Sequence, residues 1–117
     1  MTEDLNSETE SRDEFIESIA GDVMGCLTRD RFFERLEKIV WPEGPDGRRV
    51  CDHSFAKTLE LTAADGHPSE DQEEIIGVLQ SLGGFCDCEV MLNAAPTSQA
   101  RDRYWRKRAA EELDTNR

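Results

Sequence analysis

The sequence predicts a small α+β domain in which four or five helices surround a short sheet of two or three strands. Apolar residues recur at helical spacing in several segments, and turns rich in glycine or proline separate these segments. The segment of residues 85–92 is instead short, apolar and alternating, as a strand is. A chain of 117 residues has room for one modest core, so a second folded domain is not expected.

The chain divides into three predicted parts. Residues 1–10 are acidic and polar, with Leu5 the single apolar residue after Met1, so we expect a disordered, solvated tail. Residues 11–96 are expected to form the single α+β domain. Residues 97–117 carry few apolar side chains, so the helix predicted there is expected to dock weakly, to fray or to await a partner.

Four helices are predicted inside this domain, because stretches with helical periodicity lie between residues that cap or break helices. Capping boxes begin at Ser11 and Ser69, and Gly83-Gly84 can end the last of the four helices. The predicted helices cover approximately residues 11–26, 28–41, 54–66 and 69–82. The strand at residues 85–92 is expected to pair with the Arg49–Cys51 segment.

Acidic residues dominate the charge of the chain, with 26 acidic against 14 basic residues and a net charge of -12 at pH 7. Such a surface repels nucleic-acid phosphates and anionic membranes, so neither is an expected partner, whereas a protein partner is compatible with it. No apolar run approaches the ~20 residues of a membrane span, and the acidic N-terminus is unlike a signal peptide. We therefore expect a cytoplasmic protein.

Two short pairs of soft ligands are the most informative feature of the sequence. In a reducing compartment, cysteines are more often free thiols or metal ligands than disulfides. One residue separates Cys51 from His53, and one separates Cys86 from Cys88, so in extended segments each pair shares a face. Thiolates and imidazole favour zinc, and four protein ligands form a closed, structural site. The predicted sheet is therefore expected to carry a zinc site formed by Cys51, His53, Cys86 and Cys88.

Two other interpretations of these residues stay open. Cys86 and Cys88 are also consistent with small buried side chains of the core. Alternatively, one of them is a nucleophile with His53 as its base and Asp52, Asp87 or Glu89 as the orienting carboxylate. Carboxylates near a thiol raise its pKa, which counts against an activated cysteine.

The remaining polar residues near the pairs receive simpler assignments. Asp87 and Glu89 are expected to point away from the thiols onto a solvated face. His67 lies in a loop beside Pro68 and is expected to be exposed, although it could replace His53 as a ligand. Cys26 is far in sequence from both pairs and is expected in the core.

The segments Cys51-Asp52-His53-Ser54 and Gly83-Gly84-Phe85-Cys86-Asp87-Cys88-Glu89-Val90-Met91-Leu92-Asn93 resemble a family of small prokaryotic proteins, the domain of unknown function 2695. That family looks like a Cys-x-His-[Ser/Thr] segment, two helices and a closing Gly-Gly-aromatic-Cys-Asp-Cys-Glu-Val-Leu-x-Asn segment. This sequence departs from the pattern at Met91, where the family has Leu. The resemblance implies that Cys51, His53, Cys86 and Cys88 belong together, and it extends to Asp87, Glu89 and Asn93 as further candidates. It implies no activity.

A third feature is the basic stretch Arg101–Arg108, in which Tyr104 and Trp105 are interleaved with five basic residues. This composition suggests a nucleic-acid-associated factor, but the acidity of the whole chain disfavours it.

We expect a small zinc-binding protein that acts as a non-enzymatic binding or regulatory module. A cysteine- or zinc-dependent enzyme and a nucleic-acid-associated factor are the alternatives.

Overall fold

The protein is described by a computed structural model that covers residues 3–115, with side chains described for residues 13–111. Its regular elements in this range are all helical. They are α1 (Glu3–Arg29), α2 (Phe32–Val40), α3 (Ala56–Ala64), α4 (Ser69–Ser81), the short α5 (Asp87–Glu89), a π-helical turn (Val90–Ala94) and α6 (Gln99–Thr115). None of these helices combines the length and the apolar character that a membrane span requires.

The predicted α+β fold is wrong, because residues 3–115 contain no strand. Residues 87–94 form the short helix and the π-helical turn, closed by hydrogen bonds from Val90 N–H to the Cys86 carbonyl and from Ala95 N–H to the Val90 carbonyl. The Arg49–Cys51 segment pairs with no strand, and Val50 N–H instead donates to the Val40 carbonyl at 2.7 Å. A short apolar run fits a buried helical turn as well as a strand, so periodicity alone could not decide between them.

The four helices predicted inside the domain are present, but three of them, α1, α2 and α3, begin at residues other than those predicted. Helix α1 begins at Glu3, ahead of the predicted capping box at Ser11, and Met1 and Thr2 lie outside the described residues. Helix α4 begins at Ser69 as expected, but no side chain caps it. The Gln72 side-chain amide donates to the His67 carbonyl instead, at 2.8 Å. The division of the chain into tail, domain and terminal helix stays a prediction.

Helix α2 lies at the centre of the core. Its Phe32, Leu36 and Val40 side chains are fully buried, and they belong to one cluster with Leu79 of α4 and Met91 of the π-helical turn. Burying an aliphatic or aromatic side chain of this size stabilises a fold by about 1.5–3 kcal/mol. The core therefore holds the 87–94 segment against α2 and α4, and this position places the second cysteine pair.

The start of α6 is anchored by a carboxylate of α2. Glu37 Oε1 accepts hydrogen bonds from Ser98 Oγ at 3.1 Å and from Ala100 N–H at 2.8 Å. The Arg101 guanidinium donates to the carbonyls of Ala95 and Pro96 at 2.6 and 3.0 Å. Beyond Arg101, side chains up to residue 111 are exposed, so α6 extends its basic part over the surface.

The Gly83-Gly84 pair joins α4 to the cysteine segment. Gly83 has a φ of 94°, and its carbonyl accepts a hydrogen bond from the Asn93 side-chain amide at 2.9 Å. A Cβ on Gly84 would lie 3.0 Å from the Val90 Cα and 3.2 Å from the Leu79 carbonyl oxygen. Those are backbone atoms, so α4 and the π-helical turn approach each other closely only because residue 84 has no side chain.

Replacing Gly84 with alanine is expected to lower the free energy of unfolding by about 2 kcal/mol, because the backbone must shift to admit the methyl group. Urea unfolding followed by circular dichroism measures this change. Gly21→Ala is the matched control, since a Cβ there meets nothing within 4 Å in the middle of α1. That control is expected to stabilise the protein by up to ~1 kcal/mol. Equal effects of the two substitutions would contradict the close approach.

Candidate metal centre

The first half of the site is a tight turn, residues 51–54, between the loop after α2 and the start of α3. His53 N–H donates to the Cys51 sulfur at 3.4 Å, and Ser54 N–H donates to the Asp52 carboxylate at 3.1 Å. His53 has a φ of 69°, a left-handed conformation that is uncommon for a residue with a side chain and tends to occur at functional sites. These local bonds hold Cys51 half-buried and leave His53 exposed.

The second half is the turn that begins at Cys86. Cys86 is extended, with φ -159° and ψ 173°, and the chain then enters α5. The sulfurs of Cys86 and Cys88 lie 3.4 Å apart and are almost completely buried, with 2% and 3% of each residue exposed. The two thiols therefore do point together, on a helical turn rather than on the face of a strand.

Asp87 ties the two halves together. Its N–H donates to the Ser54 carbonyl at 2.9 Å. Its carboxylate accepts hydrogen bonds from the N–H of Lys57 at 3.1 Å, the N–H of Thr58 at 2.9 Å and the Thr58 hydroxyl at 2.7 Å. The two N–H groups are free amides of the first turn of α3. The N-cap residue of this helix, Phe55, makes no side-chain hydrogen bond. Asp87 thus caps a helix that lies before it in the chain.

The expectation that Asp87 lies on a solvated face is therefore wrong, because its exposed fraction is 0%. Its neighbour Glu89 is half-buried, and Glu89 Oε1 accepts a hydrogen bond from the Cys86 thiol at 3.6 Å. That carboxylate does not point away from the thiols either. Both acids belong to the site, and Asp87 orients the turn on which the two cysteines lie.

Cys51, His53 and Cys86 come together and could hold a metal ion, since one ligand atom from each lies within 4.8 Å of the other two. Tetrahedral zinc with bonds of about 2.3 Å to sulfur separates its sulfurs by about 3.8 Å. The ligand atoms of Cys51, His53 and Cys86 lie within 4.8 Å of one another, which is compatible with this separation. The Cys88 sulfur is outside that group of three but lies 3.4 Å from the Cys86 sulfur. The three donors Cys51, His53 and Cys86 therefore fit a bound metal.

Burial and the neighbouring thiols control the acidity of the three cysteines. Burial raises the pKa of Cys51, but hydrogen bonds from the N–H groups of Cys88 and His53, and from the two other thiols, bring its pKa below the usual value. Burial raises the pKa of Cys86, and burial together with the neighbouring thiols raises the pKa of Cys88 to about 12. Without a cation the two buried thiols keep their protons, which counts against either as an activated nucleophile.

A comparison with protein families supports the grouping of these residues. Residues 43–93 match the model of a family described as a protein of unknown function, DUF2695. Residues 43–93 are thus similar to this family, and they are called the DUF2695 segment below. This finding confirms the resemblance predicted from the two cysteine-containing motifs. No curated protein and no solved structure was found to match the chain.

The DUF2695 segment contains the whole candidate site. It includes both ligand pairs, α3, α4 and the Gly83-Gly84 turn, whereas α1, α2 and α6 lie outside it. Within the described side chains, the group of Cys51, His53 and Cys86 does not include the fourth predicted ligand, Cys88, and it includes neither His67 nor Cys26. His67 lies between α3 and α4, and Cys26 is half-buried on α1 beside the Arg29 guanidinium.

The cluster in the DUF2695 segment borders a cavity of about 410 Å³. The lining of this cavity includes His53, Cys86 and Cys88 together with Arg49, Tyr104 and Trp105. Two of these residues belong to α6, so the C-terminal helix covers one flank of the candidate metal centre. Sequence reasoning placed this helix outside the site, because nothing local indicates that Tyr104 lies near Cys88.

Proposed function

We propose that this protein binds one zinc ion in a structural role, through Cys51, His53, Cys86 and Cys88. The supporting observation is the convergence of Cys51, His53 and Cys86 within 4.8 Å, with the Cys88 sulfur 3.4 Å from that of Cys86. Thiolates together with imidazole suit zinc better than they suit magnesium or calcium, which prefer oxygen ligands. Four protein ligands fill a tetrahedral shell and leave no position for a substrate.

The location of the cluster explains why a structural ion would be useful. The loop between Val40 and Ala56 contains no helix, and its hydrogen bonds to the 86–94 segment include the one between Asp87 N–H and the Ser54 carbonyl. A bound ion would clamp this loop to the core at the point where α3 begins. We therefore propose a non-enzymatic binding or regulatory module whose folded shape depends on zinc.

Metal analysis of protein purified without added zinc tests this proposal. We expect close to one zinc ion per chain, and we expect Cys86→Ser to lose it because a hydroxyl is a poor ligand for zinc. Cys26→Ser is the matched control, since it changes the same atom at a position outside the cluster, and it should retain the metal. Purified wild-type protein without stoichiometric metal, also after incubation with zinc, would reject the proposal.

A zinc-dependent enzyme is the second candidate, favoured by the 410 Å³ cavity that the ligands border. It requires an open coordination position with bound water. Replacing zinc with cobalt separates the two functions, since the visible spectrum of Co²⁺ reports its coordination. In a structural site, added cyanide or azide should leave the spectrum unchanged. A spectrum that shifts with these anions would favour the enzyme.

A further inference from the structure

A second cavity, of about 650 Å³, lies between the loop of residues 45–49 and α6. Its volume is within the range of about 300–1,000 Å³ that is usual for small-molecule sites. Four cationic side chains line it: Arg49, Arg103, Arg106 and Lys107. This concentration of positive charge is unexpected in a chain whose net charge is -12.

The basic side chains of this cleft reach it from two elements. Arg103, Arg106 and Lys107 are spaced by three and four residues on α6, so they share one face of the helix, and Arg49 comes from the opposing loop. Arg103 pairs with Asp46 at 3.1 Å, but the two side chains are 53% and 73% exposed, so this pair contributes little and is readily exchanged.

The other three cations are available for a ligand. Within the described side chains, no carboxylate forms an ion pair with Arg49, Arg106 or Lys107. Arg101 differs, because its guanidinium is occupied by the carbonyls that anchor the start of α6. The cleft thus presents uncompensated positive charge to whatever enters it.

Apolar surface completes the cleft. Trp41, Leu92 and Tyr104 line it beside the cations, and Tyr104 is 40% exposed. A ligand with a charged group and an apolar or aromatic part would satisfy both kinds of surface. The cleft shares Arg49, Leu92 and Tyr104 with the cavity at the metal centre, so such a ligand would lie beside the zinc ligands.

We propose that this cleft binds a small phosphate-bearing organic molecule, with its phosphate on Arg49, Arg106 and Lys107 and its organic part on Trp41, Leu92 and Tyr104. A phosphate group carries nearly two negative charges and accepts bonds from several cations at once, and arginine pairs with it in a two-point geometry. A long nucleic acid is disfavoured, because its phosphates beyond the cleft would face an acidic surface.

Isothermal titration calorimetry of the full chain, at low ionic strength, tests the proposal with four probes. These are adenosine monophosphate, adenosine, inorganic phosphate and a single-stranded oligonucleotide. We expect the nucleotide to bind more tightly than either of its parts and more tightly than the oligonucleotide. The proposal would be overturned if adenosine or inorganic phosphate bound as tightly as the nucleotide, or if the nucleotide did not bind. An affinity that grows with oligonucleotide length would overturn it in favour of a nucleic-acid site.

Substitutions on α6 locate the site. Arg106→Gln and Lys107→Gln are each expected to weaken nucleotide binding by about tenfold, because each removes a charged hydrogen-bond donor. Arg108→Gln is the matched control, since it removes the same charge from the same helix outside the cleft lining, and less than a threefold change is expected. Equal losses from all three would indicate general attraction rather than a site. Zinc content should stay unchanged in each variant, which separates this test from that of the metal centre.

Discussion

Asp87→Ala is expected to lower the free energy of unfolding by about 3 kcal/mol or more, although the alanine leaves every proposed metal ligand in place. The substitution removes three accepted hydrogen bonds and leaves the Lys57 and Thr58 amides without partners at the start of α3. A buried donor that loses its acceptor costs more than the bond itself contributes. Chemical denaturation followed by circular dichroism measures the loss.

Two further variants separate the capping role of Asp87 from a general effect of its charge. Asp87→Asn keeps one carbonyl oxygen for the Thr58 donors but places an amide group towards Lys57, so a smaller loss of about 1–2 kcal/mol is expected. Asp22→Ala removes a carboxylate from an exposed position on α1 and should change stability by less than ~0.5 kcal/mol. If Asp87→Ala were as mild as Asp22→Ala, Asp87 would not be the cap of α3.

Free zinc is expected to stabilise the protein in proportion to the logarithm of its concentration. An ion that binds the folded state alone contributes about 2.7 kcal/mol at one hundred times its dissociation constant, which raises the Tm of a domain of this size by about 10 °C. Thermal unfolding in a series of zinc buffers, with a chelator as the zero point, measures this dependence. The ion would link residues 51–53 to residues 86–88, and this link is lost when the chelator removes the ion.

Variants at the cysteines test whether the stabilisation arises at the proposed site. Cys88→Ser should remove most of the dependence of Tm on zinc, whereas Cys26→Ser should retain it in full. A Tm that does not respond to zinc or to chelator in the wild-type protein would show that the ion has no structural role. A response of equal size in Cys88→Ser would exclude Cys88 as a ligand.

Helix positions were largely predictable from the sequence, because helical periodicity and helix breakers are local signals. Helix α4 was predicted to begin at Ser69, and α2 was predicted to end near Trp41, close to the observed last residue, Val40. The prediction of a strand at residues 85–92 was wrong, and Val90 and Met91 are instead fully buried in one core cluster with residues of α2 and α4. A short apolar run that packs into a core fits a helical turn as well as a strand, so its periodicity alone cannot distinguish the two.

The candidate site was predictable in its ligands but not in its support. Spacing and soft-ligand chemistry were enough to group Cys51, His53 and Cys86, and the structure brings these three together. The role of Asp87 could not be predicted, because the N–H groups that donate to its carboxylate belong to Lys57 and Thr58. These residues lie 30 and 29 positions before Asp87 in the chain. Capping rules consider the residues next to a helix, and the N-cap residue of α3, Phe55, makes no side-chain hydrogen bond.

The dependence of α3 on Asp87 also bears on the order of events during protein synthesis. Helix α3 has only nine residues and leaves the ribosome before the residue that caps it. An uncapped helix of that length is marginal in water, so it is expected to form persistently only after residue 87 has been made. Metal loading would then have to wait until the nascent chain has emerged past the second ligand pair.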